Sequence, residues 1–197
     1  MKSRLDLDEK IERLFSTLTQ VGEVGIEPGM VNQALSKLEK SGLEKVPAFL
    51  RALLVTDGTV TMALEAYFSE SICINTLRQG RLAIPHSLSA LEMAKHEECF
   101  FREVELLGAE SGTCYGHASS ILNKKAIDDD LFEQLVDETV GIGVILRNVA
   151  KGSFREVLDV GTGNVMVESD LYRTYRVTIN SLPAILITEE FSRAVYI

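Results

Sequence analysis

The stretch LYRTYRVTINSLPAILITEEF, residues 171–191, decides the fold. It reads as two long strands, about Leu171–Ile179 and Ala184–Phe191, joined by Asn180-Ser-Leu-Pro183. Working outward, Phe154–Val160 is a further strand, ended by Gly161-Thr-Gly163. Cys99–Leu107 and Cys114–Leu122 flank Gly-Ala-Glu-Ser-Gly, which is hairpin chemistry. Ile72–Leu77 adds one more strand by its β-branched content and alternation. Helical patterns fill the remainder. Leu7, Ile11, Leu14 and Leu18 recur at three- and four-residue steps, and Val31, Ala34, Leu35 and Leu38 mark a second amphipathic segment over residues 30–40. Pro47 opens a third helix with Phe49, Leu50, Leu53 and Leu54, and Thr56-Asp57-Gly58-Thr59 leads into a fourth over Val60–Phe68. Asp128–Asp130 begins a helix reaching about Glu138, and a short one follows Gly141-Ile142-Gly143. Strands in hairpins with helices grouped around them predict an α+β fold, an antiparallel sheet with flanking helices, and not repeated βαβ units. Residues 1–50 read as a helical N-terminal extension packed on a main domain of residues 51–197.

Composition narrows the function. The 197 residues are 46% hydrophobic and 25% charged, the balance of a soluble globular chain that buries a core unaided. Twenty Lys and Arg stand against 29 Asp and Glu, for a net charge of −9. That disfavours nucleic acid, whose binding rests on cationic side chains, but leaves room for a small anion met by a few local arginines. Residues 30–43 resemble one helix of a winged helix-turn-helix, yet the acidic chain and the lack of a basic wing favour a packing helix. No apolar run is long enough to span a bilayer and no signal-like segment opens the chain, so a cytoplasmic protein is expected. Cys73, Cys99 and Cys114 form no C-x-x-C pair and read as reduced thiols that pack as small hydrophobes. His86, His96 and His117 show no ligand-like spacing, so no metal site is expected. No G-x-G-x-x-G, Walker or G-x-S-x-G motif is present.

Strand parity singles out three charged residues, because residues two apart share a face. Arg102 runs with Phe100, Val104 and Leu106, leaving Glu103 and Glu105 on a face expected to be wet. Glu189 runs with Ile185, Ile187 and Phe191, and Arg78 follows the parity of Ile72 and Ile74. A buried charge needs a partner. Either Arg102 and Glu189 satisfy one another as an ion pair, or they face a cavity where arginine forks meet a ligand carboxylate and Glu189 meets a hydroxyl. Parity leaves both open.

These residues sit in five ordered blocks: Leu53-Leu-Val-Thr-Asp-Gly-Thr-Val-Thr61, Ile72–Gly80, Phe101-Arg102-Glu-Val-Glu-Leu-Leu, Gly141-Ile142-Gly143-Val-Ile-Leu146, and Tyr175 to Phe191. Together they resemble the chorismate pyruvate-lyases, in particular the divergent branch that makes 4-hydroxybenzoate outside ubiquinone biosynthesis. The resemblance implies the chorismate lyase-like fold, chorismate as small-molecule partner, and no cofactor. It implies that Arg102 grips the substrate carboxylate with the Ile142 backbone N–H. Arg78 is then a candidate for the pyruvyl carboxylate, Val60 for a pocket wall, and Glu189 for acid–base work at the ring hydroxyl. Gly141 and Ile142 stand where the family has proline and leucine; the second change is mild because the family uses a backbone N–H there. The UTRA ligand-sensing domains share this fold without catalysis, so a non-catalytic sensor of small carboxylates is the alternative.

Overall fold

The computed structural model describes residues 4–22, 25–26, 30–31, 35–36, 46–136, 141–149 and 152–197. The amphipathic segment read at residues 30–40 lies largely outside them. Six strands form one antiparallel sheet: β1 (Ile72–Ala83), β2 (Glu98–Gly108), β3 (Cys114–Leu122), β4 (Ser153–Thr162), β5 (Leu171–Ile179) and β6 (Leu182–Phe191). Their spatial order is β1-β2-β3-β6-β5-β4. The β5–β6 hairpin is tighter than the sequence reading, because Asn180 and Ser181 both take positive φ (50° and 66°) and close a two-residue turn.

Among the described residues the α-helices include α1 (Arg4–Leu18), α2 (Ala48–Val55), α3 (Val60–Phe68), α4 (Asp129–Val136) and α5 (Ile142–Val149). None is long and apolar enough to cross a membrane. On one face of the sheet, α2 and α3 bury Leu50, Leu53, Leu54, Val60 and Leu64 against Val104, Leu106, Val157 and Phe191. On the same face, α4 and α5 bury Leu131, Leu135, Ile142 and Leu146 against Val177, Ile185 and Ile187. The opposite face is covered by Leu14, Phe15 and Leu18 of α1 with Ile84, Leu88 and Leu91 of the β1–β2 connection. The helix pairs α2–α3 and α4–α5 thus form two separate apolar clusters over one face, and a gap remains between them.

One irregularity reverses a sequence expectation. Thr76 pairs with Val104 but Arg78 with Glu103, so β1 carries an extra residue at Leu77. Such a bulge shifts every later side chain to the other face. Arg78 therefore leaves the face of Ile72 and Ile74, and Gln79 takes its place opposite Arg102. Glu103, expected in water, is buried and ion-paired to Arg78 at 2.5 Å (Nε to Oε2), while the Arg78 guanidinium lies 5.5 Å from the Phe101 ring centroid.

Candidate active site

The gap between the two helical clusters is a cavity of about 540 Å³ of atom-free space, its open mouth included. Its floor is the sheet: Ile74, Arg102, Val104, Ala118, Ser120, Ile187 and Glu189, with Tyr175 and Arg155 toward β4. These residues lie in register. Arg102 pairs with Ser120, Ser120 with Ile187, and Ile187 with Tyr175. The roof is Gly58, Thr59, Val60 and Thr61 at the start of α3 and Gly141, Ile142 and Gly143 at the start of α5.

Two helix N-termini thus converge on one small space. Thr59 caps α3 without a side-chain bond to its amides, and Val60 and Thr61 of the first turn line the cavity. The two helix starts are so close that a Cβ on Gly143 would meet Thr59 Cγ2 at 3.0 Å. Glycine is the residue that this approach accommodates. Paired N-termini and arginines make the cavity favourable to anions despite the acidic chain.

Arg102 is buried, and its Nη1 donates to the Leu135 carbonyl at 3.2 Å and its Nη2 to Thr76 Oγ1 at 3.3 Å. Those bonds orient the fork from α4 and β1. Arg155 was not singled out from the sequence. Its Nη1 donates to Thr59 Oγ1 at 3.2 Å and its Nη2 to the Gly143 carbonyl at 3.1 Å, tying together the starts of α3 and α5. Among the described residues it takes part in no ion pair with a carboxylate.

Glu189 is not the partner of Arg102, which removes the simple ion-pair alternative. It pairs with Arg173, whose Nε lies 2.6 Å from Glu189 Oε2. Arg173 is fully buried and also donates Nη1 to the carbonyls of Leu53 (2.6 Å) and Thr56 (2.7 Å). Its guanidinium lies 4.8 Å from the Tyr175 ring centroid. The Tyr175 hydroxyl donates to Glu189 Oε1 at 3.2 Å. Burial and then the Glu189 charge push the Tyr175 phenol above its ordinary range, so it stays protonated and keeps its proton for Glu189.

The structure thus gathers Arg102, Glu189, Ile142 and Val60 around one cavity and leaves Arg78 outside it, on the opposite face. It adds Arg155 and Tyr175 to the lining, with Arg173 as the buried partner of Glu189. Parity alone would have found Arg173 and Tyr175, which alternate with Leu171 and Val177, and Arg155, which shares a face with Val157.

A six-stranded antiparallel sheet with a helix-roofed cavity on one face defines an α+β fold. The effector domain of PhnF from Mycobacterium smegmatis shares it, with a TM-score of 0.52 at 11% identity over 70% of this chain and 90% of that one. PhnF itself gives a TM-score of 0.51 at 13% identity over 96% of this chain and 93% of that one. At such identities the likeness is one of fold. Residues 54–196 match the family described as chorismate pyruvate-lyase Rv2949c-like, and the chain belongs to that family. The chorismate pyruvate-lyase of Mycobacterium leprae (strain TN) is 25% identical over 178 residues, covering 85% of this chain and 83% of that protein.

Proposed function

We propose that the chain is a chorismate pyruvate-lyase that converts chorismate to 4-hydroxybenzoate and pyruvate. The carrying observation is the cavity in which two arginine forks and two helix N-termini surround an apolar floor bearing one carboxylate, Glu189. Chorismate carries two carboxylates on a ring poised to aromatise. In this reading the C3–O bond to the enolpyruvyl group breaks and the ring C4 proton leaves. The enolpyruvate takes up a proton and tautomerises to pyruvate, so the atoms of chorismate are divided between the two products.

Arg102 takes the ring carboxylate bidentately, with the Ile142 N–H at the start of α5. Arg155, on the far side of the cavity, takes the pyruvyl carboxylate in place of Arg78. Glu189, with one oxygen held by Arg173 and the other by Tyr175, presents its remaining lone pairs to the ring hydroxyl and assists proton transfer. Val60 packs on the substrate from the roof. Charge growing on the departing oxygen is met by preoriented donors in a space poor in water.

A ligand-sensing domain without turnover is the second reading, favoured by the fold shared with the PhnF effector domain. Incubating purified protein with chorismate, and following 4-hydroxybenzoate by chromatography and pyruvate by a coupled assay, separates the two. Arg102→Ala run alongside corrects for spontaneous decay. Equimolar products from wild type alone support the lyase. Calorimetric binding of chorismate without product supports the sensor, and neither product nor binding rejects both.

A further inference from the structure

On the sheet face away from the cavity, β2 and β3 bring Glu105, Cys114 and His117 together, their donor atoms all within 4.8 Å of one another. Spacing hides this cluster. Residues 114 and 117 are three apart and would face opposite ways on a regular strand. Leu106, however, pairs with Gly116 and Leu107 with Cys114, so β3 holds an extra residue at Tyr115. The bulge sends Tyr115 into the cavity-side core and turns Cys114 onto the face of His117. Glu105 stands directly opposite His117 on β2.

Cys114 Sγ lies 3.5 Å from His117 Nε2, and His117 Nε2 lies 3.9 Å from Glu105 Oε1. In tetrahedral zinc, bonds of about 2.3 Å to sulfur and about 2.0 Å to nitrogen place those two donors about 3.5 Å apart. The Glu105 carboxylate oxygen, 3.9 Å from His117 Nε2, would have to move closer to complete the set. Asn75 Nδ2 donates to Glu105 Oε2 at 2.8 Å, steadying the carboxylate with its other oxygen toward the histidine. That is the support a ligating carboxylate commonly has. All three side chains are partly buried, so an ion would keep one position open to water.

We infer that Glu105, Cys114 and His117 form a site for Zn2+ or a similarly borderline-soft divalent cation, completed by a water molecule. Binding replaces the Cys114 S–H bond with a sulfur–metal bond, and the thiol proton passes to solvent. A dication balances the thiolate and the Glu105 carboxylate, which together disfavour one another in its absence. The ion would join β2 to β3 directly behind Val104 and Ala118 of the cavity floor. This site is independent of the lyase reading.

The test is titration of the reduced, chelator-stripped full chain with Co2+ and then Zn2+. One Co2+ per chain with a near-ultraviolet thiolate-to-cobalt band, displaced by one Zn2+ and accompanied by a rise in Tm, is the expected result. Cys114→Ser removes the band and weakens Zn2+ binding at least ~10-fold. Glu105→Gln, at a partly exposed side chain that leaves folding intact, weakens it comparably, whereas Cys73→Ser leaves it unchanged. A wild-type titration without the band, or Zn2+ affinity equal to wild type in both Cys114→Ser and Glu105→Gln, overturns the site.

Discussion

Arg173 and Glu189 stand directly opposite one another across the β5–β6 ladder, with Arg173 Nε 2.6 Å from Glu189 Oε2. The same guanidinium holds the carbonyls of Leu53 and Thr56 at the end of α2. One buried cation therefore fixes both the cavity's carboxylate and the turn that leads to its roof. Arg173→Ala strands a buried carboxylate and deprives two carbonyls of their donor, at an expected cost of ~3–5 kcal/mol. Urea denaturation reads this directly, and an unchanged midpoint would mean that the pair does not hold the site together.

The two cavity arginines have separable tasks. Arg102→Ala should weaken both chorismate and 4-hydroxybenzoate by well over tenfold, since a lost buried charge contact costs ~2–5 kcal/mol. Arg155→Ala should weaken chorismate, which has a second carboxylate, while leaving 4-hydroxybenzoate within about twofold, as the product has none for it to hold. Calorimetry with both ligands checks this. Equal losses for the two ligands in Arg155→Ala would place that residue elsewhere in the binding process.

Glu103, next in sequence to Arg102, has a role in stability rather than in ligand binding. Its pair with Arg78 is buried on the carboxylate side and about a quarter exposed on the arginine side. Glu103→Ala should cost ~2 kcal/mol, less than a wholly buried pair, with kcat/KM per folded molecule retained. A loss of kcat/KM without loss of stability would reverse the assignment.

The three thiols should differ sharply in reactivity. Cys73 is exposed, whereas burial pushes the Cys99 thiol up to about 12. Burial and the Glu105 charge also raise Cys114. In metal-free protein at pH 8, an aromatic disulfide reagent should modify Cys73 first, Cys114 slowly, and Cys99 only on unfolding. Labelling of Cys99 at the rate of Cys73 would contradict the buried placement.

Glu70 gives an acid limb with a defined sign. Hydrogen bonds from the Tyr115 hydroxyl, then from the Ser111 backbone and side chain, hold its carboxyl down at about 2 from an ordinary 4.5. A pKa lower in the folded state stabilises above the unfolded value, and the contribution is lost as pH falls from 4.5 toward 2. Glu70→Ala should flatten stability against pH across that window in acid denaturation. An identical acid limb would show that the hairpin bonds do not persist.

Much of this was legible in the chain. Strand parity carried Arg102 and Glu189 to one face because β2 and β6 are regular where those residues sit. It failed where a strand holds an extra residue. The bulge at Leu77 moved Arg78 to the far face, and the one at Tyr115 brought Cys114 onto the face of His117. No local spacing announces either bulge, since both are set by pairing with β2. Arg155 is legible by the same parity, since it shares a face with Val157, but no local pattern announces that it meets Thr59 and Gly143, roof residues distant in sequence.

The strand order β1-β2-β3-β6-β5-β4 divides the sheet into two three-strand meanders whose strands pair with one another along β3 and β6. Arg102 comes from the first meander, and Arg155 and Glu189 from the second, so anything held by all three spans the seam. A bound dicarboxylate thus acts as a clasp between two halves, each built from neighbours in sequence. The β3–β6 amides, more than those within either meander, are where occupancy should slow hydrogen exchange.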